Sequence, residues 1–316
     1  IMSDRATSLH NNPWTGVFYV TGGGSELISE MLTTPGASRT VLEASVPYAA
    51  SALAATLGRA PDQSCSAPTV RAMAMAAFQR AVALAPDTAS ANLFGMSCTA
   101  SLATDREKRG RHRAHIALQT DSSTHFAEIE LRGDRVEEER QLLDALWTFL
   151  LALLDGQAAG AVAVRSTRAE DAWRDVLLGR QQASATKPHD GKLILSGAFN
   201  PLHYGHQKML AVAERLTGRA GAFELSIVNV DKPPLDYHEI ALRLAQFDVP
   251  VWLTCLPTFI EKARHFPGAI FGVGVDTITR IDAPRYYEGE ARRDAAIEEL
   301  AGLGCEFLVF GRAQCD

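Results

Sequence analysis

Ten consecutive residues, Gly197-Ala198-Phe199-Asn200-Pro201-Leu202-His203-Tyr204-Gly205-His206, constrain this chain more than any other stretch. The run Lys192-Leu193-Ile194-Leu195-Ser196 ahead of them reads as a buried strand, and Met209, Leu210, Val212, Ala213 and Leu216 recur at helical spacing behind them until Gly218. The segment is therefore a strand-to-helix turn. A helix N-terminus presents unpaired N–H groups and a partial positive charge, so it accepts anions. Gly197 and Gly205 allow close backbone approach, while His203 and His206 add side-chain donors whose charge can respond to a developing negative charge. From the residues alone this is a phosphate site. A zinc site would need further ligands, and no Cys, Asp or Glu lies within the turn, so no residue is expected to ligate a metal.

The second half alternates around that turn. Strands are predicted at 192–196, 223–230, 249–256, 269–275 and 305–311, with helices between them. Such βαβ alternation predicts an α/β domain with a parallel, doubly wound, Rossmann-like sheet whose ligands sit at the carboxyl ends of the strands. Asn229-Val230-Asp231-Lys232-Pro233-Pro234 follows the second strand, and Gly272-Val273-Gly274-Val275-Asp276-Thr277 ends the fourth. Both are expected at the sheet edge that carries the two histidines.

The first half is also α/β, with strands predicted at 16–20, 39–45, 92–98, 112–119 and 124–131 and helices at 25–32, 49–57, 68–83 and 137–154. The two strands after Gly110 read as an antiparallel pair, so this sheet is expected to be mixed. From 155 to 192 the composition turns to Ala, Gly, Gln, Ser and charged residues, with Lys187-Pro188-His189-Asp190-Gly191 as the strongest breaker. The expected division is a first domain at 1–157, a linker with a short helix at 158–190, and a second domain at 191–316.

A chain of 316 residues with 47% hydrophobic and 22% charged residues fits two soluble globular domains. A net charge of −6 argues against a nucleic-acid surface, which carries a clustered basic face. The five cysteines show no CxxC spacing or disulfide framework, no apolar run reaches the length of a membrane span, and the start lacks a secretory pattern. A cytoplasmic protein acting on small molecules is expected, without nucleic-acid or membrane partners.

Read as GxFxPxHxGH, the turn resembles the signature of the nucleotidyltransferase superfamily, which joins a nucleotide to a phosphate-bearing acceptor and releases pyrophosphate. The Lys232-Pro233-Pro234 loop and the Gly274-Val275-Asp276-Thr277 turn are similar to those of the nicotinamide and nicotinate mononucleotide adenylyltransferases, as are the positions of Arg243, Tyr286 and Tyr287. The resemblance implies AMP transfer from ATP, with Mg²⁺ accompanying the ATP. It assigns catalysis to His203 and His206, and nucleotide contacts to Gly197, Ala198, Phe199, Asn200, Gly205, Lys232, Gly274, Asp276 and Thr277. Family members carry a further Ile-Ser-Ser-Thr-x-x-Arg segment after the last strand. This chain ends Gly311-Arg312-Ala313-Gln314-Cys315-Asp316, so the domain is expected to be truncated.

In the first half, Thr21-Gly22-Gly23 and Thr34-Pro35-Gly36-Ala37-Ser38, with Val46-Pro47-Tyr48 and the region 95–102, resemble the CinA C-terminal domain, the nicotinamide mononucleotide deamidase family. The family's serine nucleophile and assisting lysine fall here on Tyr19 and Leu53. Neither can do that chemistry, so the domain is expected to have lost deamidase activity. Ser25 and Cys98 are off the matching position and read as a helix-start residue and a buried strand residue. The Gly22-Gly23-Gly24 turn is a weak phosphate-site candidate, a homo-oligomer through this domain is a further expectation, and His112 and His115 with Arg109, Arg111 and Arg113 read as a basic strand edge.

The leading expectation is thus a mononucleotide adenylyltransferase fused to a degenerate deamidase-like domain. The alternatives are a cytidylyltransferase or adenylyltransferase with another phosphate acceptor, a non-catalytic nucleotide-binding or sensing protein, and an amidohydrolase working through the first half.

Overall fold

Every residue of β1 (Thr15–Thr21) after Thr15 is buried, as in a central strand covered on both faces. It pairs in parallel with β2 (Val41–Ser45) and with β3 (Leu93–Ser101). From β3 the sheet continues antiparallel through β4 (Arg113–Thr120), β5 (Ser123–Glu130) and β6 (Arg165–Arg168), in the order β2-β1-β3-β4-β5-β6. The sheet is mixed, and β4 with β5 is the antiparallel pair expected after Gly110. These strands belong to the first of two compact units, Ile1–Glu170 with Asp231–His238; the second is Asp171–Val230 with Glu239–Asp316. The computed structural model describes residues 2–105, 110–229, 232–284, 287 and 289–311, the side chains of 2–4 excepted.

Side-chain alternation sets the layers of the first unit. Ile116 and Leu118 of β4 point into a core with Leu27, Met31, Trp147 and Phe149, supplied by α2 (Ser25–Thr33) and α5 (Arg135–Leu154) and joined by α1 (Met2–His10). Ala117, between them, faces the other way and packs with Phe126 against Val70 and Ala74 of α4 (Ala67–Leu84), which follows α3 (Ala50–Leu57). Gly95 lets α4 lie directly on β3, since a Cβ there would stand 2.2 Å from Phe78 N and 2.3 Å from Ala74 O. Both obstacles are backbone. Gly95→Ala is expected to destabilise by about 1–3 kcal/mol, measurable as a lower urea midpoint at unchanged slope.

On β5, His125 lies between two hydroxyls, Ser166 Oγ at 2.7 Å from Nδ1 and Ser123 Oγ at 2.8 Å from Nε2. Burial pushes its imidazole down to about 4. In the unfolded chain it takes a proton near pH 6.5, so between those values the unfolded state binds more protons and stability falls as pH drops, with a slope of at most about 1.4 kcal/mol per pH unit from this one group. Above that window the group is neutral in both states. Acid unfolding of His125→Gln should be shallower between pH 6.5 and 4 than that of the parent; superimposable curves would exclude the effect.

In the second unit, β8 (Leu193–Ser196) starts at the centre of the sheet. The chain moves outward through β9 (Ala222–Ser226) and β10 (Val251–Thr254), then returns to the other side of β8 for β11 (Ile270–Gly274) and β12 (Glu306–Phe310). All five are parallel, and β7 (Ala183–Ala185) closes the β10 edge antiparallel. This is a doubly wound, Rossmann-like sheet whose strand order reverses between β8 and β11. Intervening helices are α7 (Tyr204–Thr217), α8 (Tyr237–Leu244), α9 (Phe259–His265), α10 (Val275–Ile281) and α11 (Glu290–Gly302).

Two segments depart from the sequence expectation. The stretch 158–190 holds β6, paired with β5, then α6 (Asp171–Leu177) and β7, paired with β10. Instead of a linker it supplies an edge strand to each sheet, and the units divide after Glu170. The other segment, 231–238, belongs to the first unit, where two of its residues have polar partners. Asp236 pairs with Arg71 at 3.0 Å with both side chains buried, Tyr237 Oη donates to Asp121 O at 2.5 Å, and the Tyr237 N–H donates to Thr124 Oγ1 at 3.0 Å. Among the described residues no helix is long and apolar enough to cross a membrane.

Candidate functional site

The turn from Gly197 to His206 leaves the carboxyl end of β8 beside the strand-order reversal. Leu195 stands opposite Gly272 of β11, which brings Gly274, two residues on, to the same edge as Gly197. Phe199 carries a left-handed backbone, φ 47°, and the Asn200–Pro201 peptide is cis. A bulky residue with positive φ persists only where its surroundings over-determine it. Here the Phe199 ring is 3% exposed and meets Phe223, Phe247 and His206 edge to face at 4.9, 5.3 and 5.1 Å between centroids. Gly197 makes room, since a Cβ there would meet that ring at 2.8 Å.

Polar contacts from α8 and the turn that follows it fix the same segment. Arg243 Nη1 donates to Ala198 O at 2.8 Å, and its Nε donates to Glu239 Oε1 at 2.9 Å. Gln246 accepts the Leu202 N–H at 2.8 Å and donates to Phe199 O at 3.2 Å. Arg243 thus buttresses the turn through its backbone. Gln246 carried no motif signal, and only the packing of the folded chain discloses it.

His203 caps the N-terminus of α7, and its ring stacks on that of His206 with centroids 3.7 Å apart. Its backbone N–H donates to His206 Nδ1 at 3.3 Å. With Nδ1 accepting, the neutral His206 ring carries its proton on Nε2. Burial, then the neighbouring His203, holds its pKa below the ordinary value. Gly205 lies under the His203 ring, where a Cβ would come within 3.0 Å. The result is a long helix N-terminus bearing two stacked imidazoles, a geometry that can donate to a phosphate and then strengthen as negative charge develops.

The other expected nucleotide contacts divide. Gly274 caps α10, has open space where a Cβ would point, and is followed by exposed Asp276 and half-buried Thr277 in the first turn. These share the sheet edge with the histidines. Exposed Lys232 does not belong to this unit; it opens the segment that folds into the first unit. Val230, Asp231, Tyr286, Arg312 and Cys315 lie outside the described residues. Among the described residues no group of three or more His, Cys, Asp or Glu could hold a metal.

In the first unit, Tyr19 Oη donates to Glu43 Oε1 at 3.3 Å, and Arg80 Nε donates to the other carboxylate oxygen at 2.8 Å. Burial, then Glu43, pushes the phenol up to about 12, and Leu53 is buried. Exposed Ser25 is the first helical residue of α2, while Cys98 is fully buried and its thiol is pushed up by that burial. The glycine turn departs from the phosphate expectation. The Gly24 N–H is taken by Glu139 Oε2 at 2.8 Å, and Cβ atoms at Gly22, Gly23 and Gly24 would strike Ala100 O, Leu102 and Leu146 at 2.0, 2.7 and 2.9 Å. Its glycines serve close packing. The basic edge is also broken up: His112 Nδ1 contacts the buried carboxylate of Glu138 at 2.5 Å, and His115 is buried. Arg109 lies outside the described residues.

Fold and turn together define an α/β protein whose second unit is a doubly wound sheet bearing a turn with two stacked histidines at its strand-order reversal. No protein-family model matches the chain, and no curated protein matches it. Solved structures similar to about half of it are CinA-superfamily proteins. The competence/damage inducible protein CihA from Agrobacterium tumefaciens is 17% identical over 48% of this chain and 94% of its own, with a TM-score of 0.40. A CinA-superfamily protein from Enterobacter cloacae is 15% identical over 48% and 90%, with a TM-score of 0.40. A competence or damage-inducible protein from Enterobacter asburiae is 16% identical over 48% and 96%, with a TM-score of 0.39.

Proposed function

We propose that the chain is a nucleotidyltransferase that moves the AMP unit of ATP onto the phosphate of nicotinamide or nicotinate mononucleotide. The observation that carries this reading is the stacked His203–His206 pair on the N-terminus of α7, at the point where the strand order of a doubly wound sheet reverses. An acceptor phosphate oxygen attacks the α-phosphorus of ATP, a new P–O bond forms, and the bond to the bridging oxygen breaks to release pyrophosphate. The attacking oxygen is already anionic. The protein therefore has to align the two phosphates and stabilise charge, without a covalent intermediate.

In this scheme the Nε2–H of His206 donates to the α-phosphate, and His203 holds the phosphate chain beside it. Gly274, Asp276 and Thr277 border the nucleotide. Magnesium would come with the ATP as part of the substrate and supply neutralising charge on the phosphates; no residue of this turn is assigned to hold it. The first unit contributes no deamidase chemistry, because a locked phenol and a buried leucine stand where a serine and a lysine would be needed.

The test is to incubate the purified full chain with ATP, Mg²⁺ and each mononucleotide and to follow dinucleotide and pyrophosphate formation, with His206→Ala alongside. Dinucleotide made by the parent and lost in the variant supports the reading. ATP binding with no pyrophosphate from any phosphate acceptor would overturn it in favour of a nucleotide-binding protein, and deamidation that survives His206→Ala would point to the first unit.

A further inference from the structure

The amide of Gln246 uses both of its functions on one turn. Its Oε1 accepts the Leu202 N–H at 2.8 Å, and its Nε2 donates to Phe199 O at 3.2 Å. The same Nε2 donates to Arg243 O at 3.2 Å, so the side chain is tied back to the last turn of α8, which ends two residues before it. It grips the turn on both sides of Asn200 and Pro201. Each grip lies one short step from His206. Leu202 is bonded to His203, whose backbone N–H donates to His206 Nδ1 at 3.3 Å, and the Phe199 ring packs edge-on against the His206 ring at 5.1 Å.

The grip needs a donor and an acceptor at the end of one side chain of this length, which an amide supplies. A carboxylate lacks the donor for Phe199 O, a lysine or arginine lacks the acceptor for Leu202, and methionine, of similar length, lacks both. The segment gripped includes Phe199, whose left-handed backbone persists only where its neighbours hold it. We infer that Gln246 is a positioning residue for His206, holding the Phe199–Leu202 backbone so that His206 Nδ1 stays an acceptor and Nε2–H faces the phosphate site; its effect on rate rests on the nucleotidyl-transfer reading above.

The inference separates tautomer from turnover. In the full chain labelled with ¹⁵N-histidine, the parent is expected to give a single His206 tautomer, protonated on Nε2 at pH 8. In Gln246→Met, with the fold intact by circular dichroism, the two ring nitrogens should move toward averaged shifts. The rate of pyrophosphate release should fall about ten-fold or more while ATP affinity changes far less, because a displaced reacting group costs rate before it costs binding. Gln246→Glu, which keeps the acceptor and the length, should show the same averaging to a smaller extent, and serves if the methionine variant fails to fold. An unchanged His206 tautomer in a folded variant lacking the donor or both functions would overturn the inference. Because the tautomer is read without substrate, absence of nucleotidyl transfer in the parent would defeat the proposed reaction and leave the role of Gln246 to be judged on the spectra.

Discussion

His206→Ala is expected to lower the rate of pyrophosphate release by about 10²-fold to 10³-fold, the usual loss when one preorganised donor to developing charge is removed. The substitution should leave the fold in place. His206 is half-buried on the first turn of α7, and its loss removes one ring stacked on exposed His203 and one edge contact to Phe199. Phe199 keeps its contacts with Phe223 and Phe247. ATP should still bind, because the helix N-terminus and the turn backbone remain. Steady-state kinetics with a thermal melt on each protein checks both halves of the prediction. A rate within a factor of about three of the parent, in a folded variant, would remove His206 from the chemistry.

Lys262→Met is expected to cost about 3–5 kcal/mol of stability, the usual result of stripping one partner from a buried ion pair. Lys262 Nζ lies 2.7 Å from Glu224 Oε2, with the two side chains 6% and 1% exposed. Thr254 Oγ1 donates to the other Glu224 oxygen at 2.5 Å, so the methionine variant would leave a carboxylate in the sheet with a single hydroxyl for company. Glu224 stands opposite Ser196, the last residue before the histidine turn, and its backbone carbonyl accepts the Gly197 N–H at 3.1 Å. Denaturant unfolding measures the loss. The double replacement Glu224→Leu with Lys262→Met should recover most of it, since the cost lies in the unpaired charge and not in the absent attraction.

The second unit was legible in the sequence because its signals are local. The strand-turn-helix around Gly197 to His206 and the five parallel strands follow from apolar runs separated by amphipathic stretches, and all five appear, β9 and β10 shorter than predicted. The placement of His203 at the N-cap and His206 in the first turn of a helix that starts at Tyr204 follows from the local pattern, while the stacking of their rings does not. Gln246 was invisible for a physical reason: its partners are backbone groups of Phe199 and Leu202, which leave no pattern in residue type. Strands β6 and β7, of four and three residues, fall below the length at which alternation can be read. The glycine turn of the first unit misled because close packing and phosphate binding both demand a missing Cβ, and only Glu139 and Ala100 distinguish them.

The segment 231–238 bears on how such a protein can be taken apart. The first unit is assembled from two separate lengths of chain, the second of which is a short strap that falls, in sequence, between two stretches of the other unit. A fragment ending at Glu170 would lose Asp236 and Tyr237, and with them the buried ion pair of Arg71 and the bonds from Tyr237 to Asp121 and Thr124. A cut at any one peptide bond therefore yields no clean half.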